Sequence, residues 1–443
     1  MRAADFKNEL RKLVRLATPL AAAQAGTNLM GLVDVAVLGR LGARELAGSG
    51  LANAIFFACS VTGMGMVMGV DPLISQAIGA RDRTRARHVL WQGVWLALLT
   101  AGVLTVILLA AAAGLSHFGV AAELVQPART FLLIRILSLV PFLTYFALRA
   151  YLQSQGTTRP LLTSMIIANV ANFVLDVVLV FGYGPIPPFG VAGAAWATVA
   201  CSILQLVWVG SAVLRIKVDG HVDRRWTPPE IARAFRVGLP LGLQMGAEVG
   251  IFALVGVLAA RLGTLHLAAH QLAITIASFT FTVALGVAAA GSVRVGRAIG
   301  ARDAHATRTA GHVAFALGMA VMGLSGFMFA VFPRAIARLV TNHEDIIAAA
   351  LPLMLVAAVF QLSDGAQAVG AGVLRGAGDT KWAFYANLVG HWCIGLPTAL
   401  VLGFTMHLGI VGLWWGLCAG LTVVAVLLFL RFERLSRQPI VPL

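Results

Sequence analysis

Long apolar runs alternate with short polar and basic intervals along almost the whole chain. A helix needs about 20 mainly apolar residues to cross a bilayer. The first run is longer than the core of a secretory signal, so we count it as a span. The pattern predicts twelve spanning helices, at about 13–38, 46–74, 89–113, 128–152, 160–182, 190–214, 235–260, 266–292, 309–333, 349–374, 383–405 and 409–431.

The sequence repeats itself once. QAIGARD at Gln76–Asp82 returns as RAIGARD at Arg297–Asp303, and LQSQGTT at 152–158 returns as LRGAGDT at 374–380. Each copy holds six predicted spans, and because six is even, both copies enter the membrane from the same side. We therefore predict an all-α membrane protein of two parallel six-helix bundles. Its predicted parts are an N-lobe (1–214, helices 1–6), a basic cytoplasmic linker (215–236) and a C-lobe (237–443, helices 7–12).

Composition supports a membrane protein, because 59% of the residues are hydrophobic and only 12% are charged, too few to cover a soluble body. The net charge of +15 does not indicate nucleic acid, since the basic residues lie between the apolar runs. With a cytoplasmic N-terminus, 26 of the 33 Lys and Arg residues fall on the cytoplasmic side. This asymmetry predicts a multi-pass protein of the cytoplasmic (inner) membrane with both termini inside. We expect a monomer whose partners are the lipid bilayer and small molecules.

Four acidic residues lie deep in the predicted spans: Asp34, Asp176, Glu248 and Asp364. A carboxylate in the membrane interior costs on the order of 3 kcal/mol by insertion scales, so it is kept where it faces a cavity or a partner. The alternative is a structural hydrogen bond or ion pair between helices. Ionisable groups inside a membrane more often serve transport, and we assign these four to function.

Helical spacing groups these acids into two sites. In the N-terminal half, one polar stripe on helix 1 and another on helix 5 predict one shared site, formed by Gln24, Asn28, Asp34, Asn169, Asn172 and Asp176, with Thr27 and Gly31 on the same face as Asp34. In the C-terminal half, helices 7 and 10 predict a second site formed by Gln244, Glu248, Gln361 and Asp364, with Gln367 one turn further on.

A carboxyl group in a low-dielectric pocket can hold a proton, or ionise when a cation arrives. Proton and cation then compete for one charge, which is the minimal machinery of an antiporter. No cofactor is expected besides the coupling ion.

Other candidate sites are weaker. His266 and His270 have a metal-compatible spacing but no third ligand nearby, and a polar cap is the favoured interpretation. Asp71 and Arg294 could form a cytoplasmic gate pair, although a solvated helix end explains Asp71 equally well.

The chain has no GxxxxGK[ST] phosphate loop and no arrangement of nucleophile and base. We therefore predict that it is not an enzyme.

The sequence resembles the multidrug and toxic compound extrusion (MATE) family over nearly its full length. The residues that carry the resemblance are MGLVDVAVLG (Met30–Gly39), PLISQAIGARD (Pro72–Asp82), LAAHQLA (Leu267–Ala273), VLRGAGDTK (Val373–Lys381) and GIVGLWWGL (Gly409–Leu417). The resemblance implies that the two bundles form a V around a central cavity. It also implies export of cationic amphipathic drugs in exchange for protons or sodium ions.

By position, Asp34 matches the family's helix 1 carboxylate, and Asn172 with Asp176 matches its helix 5 motif; both belong to a proton-linked site. Glu248 and Asp364 match the acids of a cation site in other members, and Phe360 matches an aromatic that sodium-linked members can place one turn before the second acid. The chain has both sets, so the resemblance leaves H⁺ and Na⁺ both open as the coupling ion, with Glu248 and Asp364 as the candidate sodium site. The alternative cargo is a lipid-linked or other amphipathic metabolite, as in flippases of the same superfamily. Such a site should be basic, yet Arg135 is the only basic residue well inside a span.

Overall fold

A computed structural model describes residues 3–117, 119–439 and 441–443. The described chain is built from helices joined by short turns, as expected for a chain whose backbone polar groups must be satisfied inside a membrane. The helices are α1 (Ala3–Leu38), α2 (Ala43–Val67), α3 (Val70–Gly79), α4 (Arg83–Gly114), α5 (Ala122–Ile136), α6 (Leu139–Gln155), α7 (Arg159–Phe181), α8 (Val191–Arg215), α9 (Pro228–Leu262), α10 (Thr264–Gly300), α11 (Ala304–Val331), α12 (Pro333–Arg338), α13 (Glu344–Ala377), α14 (Thr380–Asn387), α15 (Leu396–Leu400) and α16 (Gly409–Ser436).

Eleven helical segments in the described part of the chain are long and apolar enough to cross a membrane, and α5 with α6 makes a twelfth. The prediction of twelve spans is therefore confirmed, with one correction. The fourth span is not one straight helix, because α5 and α6 meet at a bend of 45°. At the break, the Arg135 carbonyl accepts two hydrogen bonds from Ser138, one from its backbone N–H at 2.9 Å and one from its hydroxyl at 2.6 Å.

The span Thr380–Thr405 is also irregular, since π-helical stretches at Leu388–Gly395 and Val401–Thr405 flank α15. Small residues allow this part of the chain to approach α16 closely. A Cβ on Gly395 would lie 3.1 Å from the Gly420 Cα. π-Helical turns are rare and occur frequently near functional sites.

Two compact units follow from the packing. One is Ala23–Gly242, and the other combines the N-terminal stretch up to Ala22 with Leu243–Leu443. These units differ from the predicted lobes, because α1 and α9 each belong partly to one unit and partly to the other. The predicted lobe boundaries describe the sequence repeat, whereas these boundaries describe packing.

The linker packs with the first unit through hydrogen bonds to α4. Both terminal nitrogens of Arg87 donate to the Val213 carbonyl at the end of α8 at 3.0 Å, and one of them also donates to the Ile216 carbonyl of the linker at 3.5 Å. Gln92 donates to the Arg225 carbonyl at 2.8 Å and accepts from the Thr227 amide at 2.9 Å. The linker is thus fixed along one helix.

The sequence repeat reappears as a repeat of local geometry. Arg81 and Arg302, at equivalent places in the two copies of AIGARD, both adopt a left-handed backbone, with φ values of 63° and 56°. The aspartate after each arginine caps the next helix: Asp82 accepts from the Arg85 amide at 2.8 Å, and Asp303 does the same for Ala306. Each copy therefore carries its own helix stop and helix start.

Close packing in the second unit depends on glycines where α13 lies along α10. A Cβ on Gly372 would lie 2.8 Å from the carbonyl carbon of Ala288, and one on Gly376 would lie 2.9 Å from that of Ser292. Both distances are shorter than side chains tolerate, so the two backbones touch only because these side chains are absent. Membrane helices commonly associate in this way.

Gly372→Ala should therefore lower the thermal stability of the purified protein, because the added methyl group meets fixed backbone. Overpacking of this kind costs about 1–3 kcal/mol. The matched control is Gly102→Ala, in which the new methyl group meets no atom within 4 Å. Thermal unfolding in detergent, followed by tryptophan fluorescence, compares the two; equal midpoints would contradict the proposed contact.

Candidate functional site

A pair of carboxyl groups occupies the interior of the first unit. Asp34 comes from α1 and Asp176 from α7, and the two groups lie within reach of each other. Asn172 lies one turn before Asp176 and donates its amide to Asp34 Oδ1 at 3.0 Å. Asn172 and Asp176 are fully buried. The helical spacing that predicted these three residues on facing stripes therefore corresponds to one cluster.

The cluster has more acceptors than donors. Both carboxyl oxygens of Asp176 and the amide oxygen of Asn172 are buried and receive no hydrogen bond from the described residues. Thr198 of α8 lies beside Asp34, but its hydroxyl donates to the Ala194 carbonyl at 3.0 Å. A buried acceptor without a donor is unfavourable, and a proton or a cation would relieve this deficit.

The remaining predicted residues of this half have other surroundings. Asn169 donates to the Gly26 carbonyl at 3.0 Å and to the Met165 carbonyl at 2.9 Å, so it joins α7 to α1. Gln24 and Asn28 are half-buried on α1, ten and six residues before Asp34. The structure shows no hydrogen bond between either of them and the carboxyl pair.

A second cluster lies in the other unit, around Glu248 of α9. Its Oε2 atom accepts from the Gln367 amide of α13 at 3.2 Å and from the Asn387 amide of α14 at 3.3 Å. Asp364 of α13 is 6% exposed and close enough to Glu248 for their charges to interact. The two acids predicted for the C-terminal half thus meet in one place.

Oxygen atoms without donors also collect in this second cluster. The amide oxygens of Gln367 and Asn387 are buried and accept nothing from the described residues, while their nitrogens face Glu248. The amide oxygens of Gln244 and Gln361, one helical turn before Glu248 and Asp364 respectively, are also buried and receive no hydrogen bond from the described residues. Hard cations such as Na⁺ are bound by carboxylate, amide and hydroxyl oxygens, so the chemistry of this set fits a sodium ion.

Gln361 and Phe360 support the second cluster from α13. The Gln361 amide donates to the Thr280 hydroxyl of α10 at 2.6 Å. Phe360 is 2% exposed, and its ring centroid lies 5.6 Å from that of Trp414 and 6.3 Å from that of Phe252. Phe360 therefore belongs to an aromatic cluster with Phe252 and Trp414, one helical turn before Asp364 in the chain.

The weaker candidates have structural surroundings. His270 accepts the indole N–H of Trp414 at 3.1 Å, and no group of three or more His, Cys, Asp or Glu side chains in the described chain could hold a metal ion. Arg294 forms a bidentate ion pair with Glu9, in which Nε donates to Oε1 and Nη2 donates to Oε2, both at 2.6 Å. Asp71 lies in the first turn of α3. A gate formed by Asp71 and Arg294 stays a prediction.

Sequence reasoning missed three residues at these clusters: Thr198, Thr280 and Asn387. A signal existed for Asn387, because Asn387 and His391 lie one helical turn apart in an otherwise apolar span. Both are fully buried. The two threonines gave no comparable signal, since single hydroxyl groups are common in membrane helices.

Comparison with known proteins agrees with this architecture. The MatE family profile matches residues 19–178 and 240–401, one match in each half of the chain. The chain is 36% identical to the probable multidrug resistance protein NorM of Deinococcus radiodurans, over 96% of this chain and 95% of that protein. It is 37% identical to the multidrug resistance protein NorM of Burkholderia vietnamiensis, over 95% and 92% of the two chains.

Solved structures show the same fold. The crystal structure of the eukaryotic MATE transporter AtDTX14 superposes with a TM-score of 0.86 at 22% identity, covering 99% of this chain and 100% of the other. An outward-facing multidrug resistance MATE transporter of the MOP superfamily gives a TM-score of 0.88 at 22% identity, with 97% and 96% of the chains covered. The spans, the repeat and these matches together show that the chain is a multi-pass membrane transporter of the MATE family.

Proposed function

We propose that this multidrug efflux transporter exports cationic amphipathic compounds in exchange for protons or sodium ions. The observation that carries the proposal is the excess of buried acceptors over donors at two carboxylate clusters, one in each unit. A site of this composition favours positive charge and disfavours anions. The names of the NorM relatives describe multidrug resistance and support efflux of drugs.

In the first unit, Asp34 and Asp176 exchange a proton for the cationic substrate. With one proton shared between them, the two carboxyl groups bind each other through a hydrogen bond. When the proton leaves, two negative charges face each other in a low-dielectric site, which favours uptake of a cation. Asn172 holds Asp34 in position through both states.

In the second unit, Glu248 and Asp364 provide the charge for a sodium ion, and the amide oxygens of Gln367 and Asn387 provide neutral ligands. The amide nitrogens of the same side chains donate to Glu248, so the protein orients that carboxylate without cancelling its charge. Sodium movement would then add to proton movement as a source of free energy.

A flippase for lipid-linked metabolites is the alternative that keeps the fold. A pyrophosphate headgroup needs donors and positive charge, whereas the two clusters present unpaired acceptors. The geometry therefore favours cationic cargo over anionic cargo.

Transport in proteoliposomes tests the coupling. Purified protein is reconstituted into DNA-loaded liposomes, and ethidium entry is followed by fluorescence under a pH gradient alone or a sodium gradient alone. We expect Asp34→Asn to reduce proton-driven entry to the rate of empty liposomes, because the amide keeps the shape but cannot exchange a proton. Asp364→Asn should do the same for sodium-driven entry.

Asp345→Asn is the matched control, since Asp345 is exposed at the start of α13 and should transport at the wild-type rate. Wild-type protein that moves ethidium under neither gradient would contradict the proposed antiport. Loss of both activities in both variants would contradict the division of labour between the two clusters.

The proposed orientation, with the linker and both termini in the cytoplasm of the inner membrane, has a separate test. In a variant with its four native cysteines replaced by alanine, His221→Cys lies in the linker and Asn342→Cys lies in a loop predicted outside; both positions are exposed. A membrane-impermeant maleimide added to intact cells should label Cys at 342 and not at 221. The reverse pattern would invert the topology.

A further inference from the structure

Arg135 is a basic residue in the interior of the first unit that the proposed exchange does not use. It lies next to the C-terminal end of α5, at the bend of the fourth span. Its carbonyl accepts the Ser138 backbone N–H at 2.9 Å and the Ser138 hydroxyl at 2.6 Å. The bend therefore fixes the backbone from which the guanidinium extends.

The guanidinium is stacked rather than ion-paired. Its central carbon lies 4.4 Å from the centroid of the Phe56 ring, and Phe56 itself is 4% exposed. The Nε atom is buried without an acceptor, and Arg135 forms no ion pair with any residue that the structure describes. A cation–π contact stabilises the position of this charge without neutralising it.

Arg135 lies within the range of Coulomb interaction with Asp34. Helices α2, α4 and α8 pack against α5, and their own charged side chains lie at the helix ends: Arg44 and Glu45, Arg83, Arg85, Arg87 and His88, and Arg215. The other titratable groups of α2 and α8 are the thiols of Cys59 and Cys201, which are neutral in their ordinary form. The interior charge is therefore set by Asp34, Asp176 and Arg135.

We propose that Arg135 is a built-in counter-cation that sets the net charge of this site and so selects singly charged substrates. With both carboxyl groups ionised, Asp34, Asp176 and Arg135 together carry a net charge of −1. With one proton bound to the carboxyl pair, their net charge is zero. A monovalent cation then balances the ionised site, and one proton replaces it without leaving a net charge behind. This inference rests on the proposed function and adds the charge class of the substrate.

The arrangement explains why the arginine is held away from contact. A direct ion pair between Arg135 and Asp34 would occupy the carboxylate that the substrate needs. Stacking on Phe56 keeps the positive charge near enough to contribute to the field of the site, while the carboxyl oxygens stay open to a ligand. In a low-dielectric interior, charges interact strongly without touching.

The test compares two dyes that share one ring system. Ethidium carries one positive charge and propidium carries two, and their binding to purified protein in detergent can be followed by fluorescence at alkaline pH. Arg135→Gln leaves the site at −2, and Coulomb attraction scales with the product of the charges. We expect both dyes to bind more tightly, with the ratio of their dissociation constants shifted towards propidium by about tenfold or more, equivalent to about 1.4 kcal/mol.

Two single variants serve as controls. Arg149→Gln makes the same substitution in the other half of the same span, where Arg149 stacks on Phe146 at 5.1 Å, and it should keep the wild-type dye ratio. Arg135→Lys keeps the charge and should also keep that ratio. An unchanged ratio in Arg135→Gln, with ethidium still bound, would show that Arg135 is a packing residue.

A double variant tests the proposal even if Arg135→Gln alone fails to fold. Asp34→Asn combined with Arg135→Gln removes one charge of each sign and leaves −1 on Asp176. We expect the dye ratio to return to within about threefold of wild type, whereas Asp34→Asn alone leaves a neutral site that binds both dyes weakly. A double variant that behaves like Asp34→Asn alone would overturn the proposal.

The same binding measurements separate failure of the proposed function from failure of the role of Arg135. If wild-type protein binds neither dye, or if Asp34→Asn binds ethidium as tightly as wild type, cation binding at this cluster is wrong, and the role of Arg135 falls with it. If Asp34→Asn weakens dye binding but Arg135→Gln leaves the ratio of the two dissociation constants unchanged, the proposed function stands and only the role of Arg135 as a counter-cation is wrong.

Discussion

A carboxylate inside a bilayer loses its water and must find compensation within the protein, and the interior of this transporter is arranged around that requirement. Asn172 donates to Asp34, while Gln367 and Asn387 donate to Glu248. All three donors are neutral amides from neighbouring helices. Because an amide stabilises a negative charge without cancelling it, each carboxylate keeps its affinity for a proton or a cation.

The two halves of the chain share a scaffold but not a site. The turns at Arg81 and Arg302, and the caps at Asp82 and Asp303, repeat closely, since both copies must end and restart helices at the same places. The acids do not follow this repeat: Asp34 falls opposite Val255 in the second copy. Helix ends are constrained by the backbone, whereas polar residues inside spans are free to diverge with function.

Irregular helices occur beside both clusters. Arg135 lies at the 45° bend between α5 and α6, and Asn387 lies where α14 passes into a π-helical stretch. A break in regular hydrogen bonding lets a side chain point in a direction that a straight helix would not allow. In the second unit, the irregular span supplies Asn387, which donates to Glu248 on α9; in the first unit, the bent span supplies Arg135, which stacks on Phe56 without pairing with a carboxylate.

The sequence by itself determined the spans, the repeat and the four interior acids, because hydropathy and helical spacing depend only on the order of residues. The same spacing placed Asn172 with Asp34 and Asp176, since a polar stripe in a membrane helix must face other protein. Tertiary structure alone decided that Asn387 donates to Glu248, that Glu9 pairs with Arg294, and that Arg135 stacks on Phe56. These contacts join residues far apart in the chain, and they depend on how each helix is bent, rotated and packed, which no local pattern records.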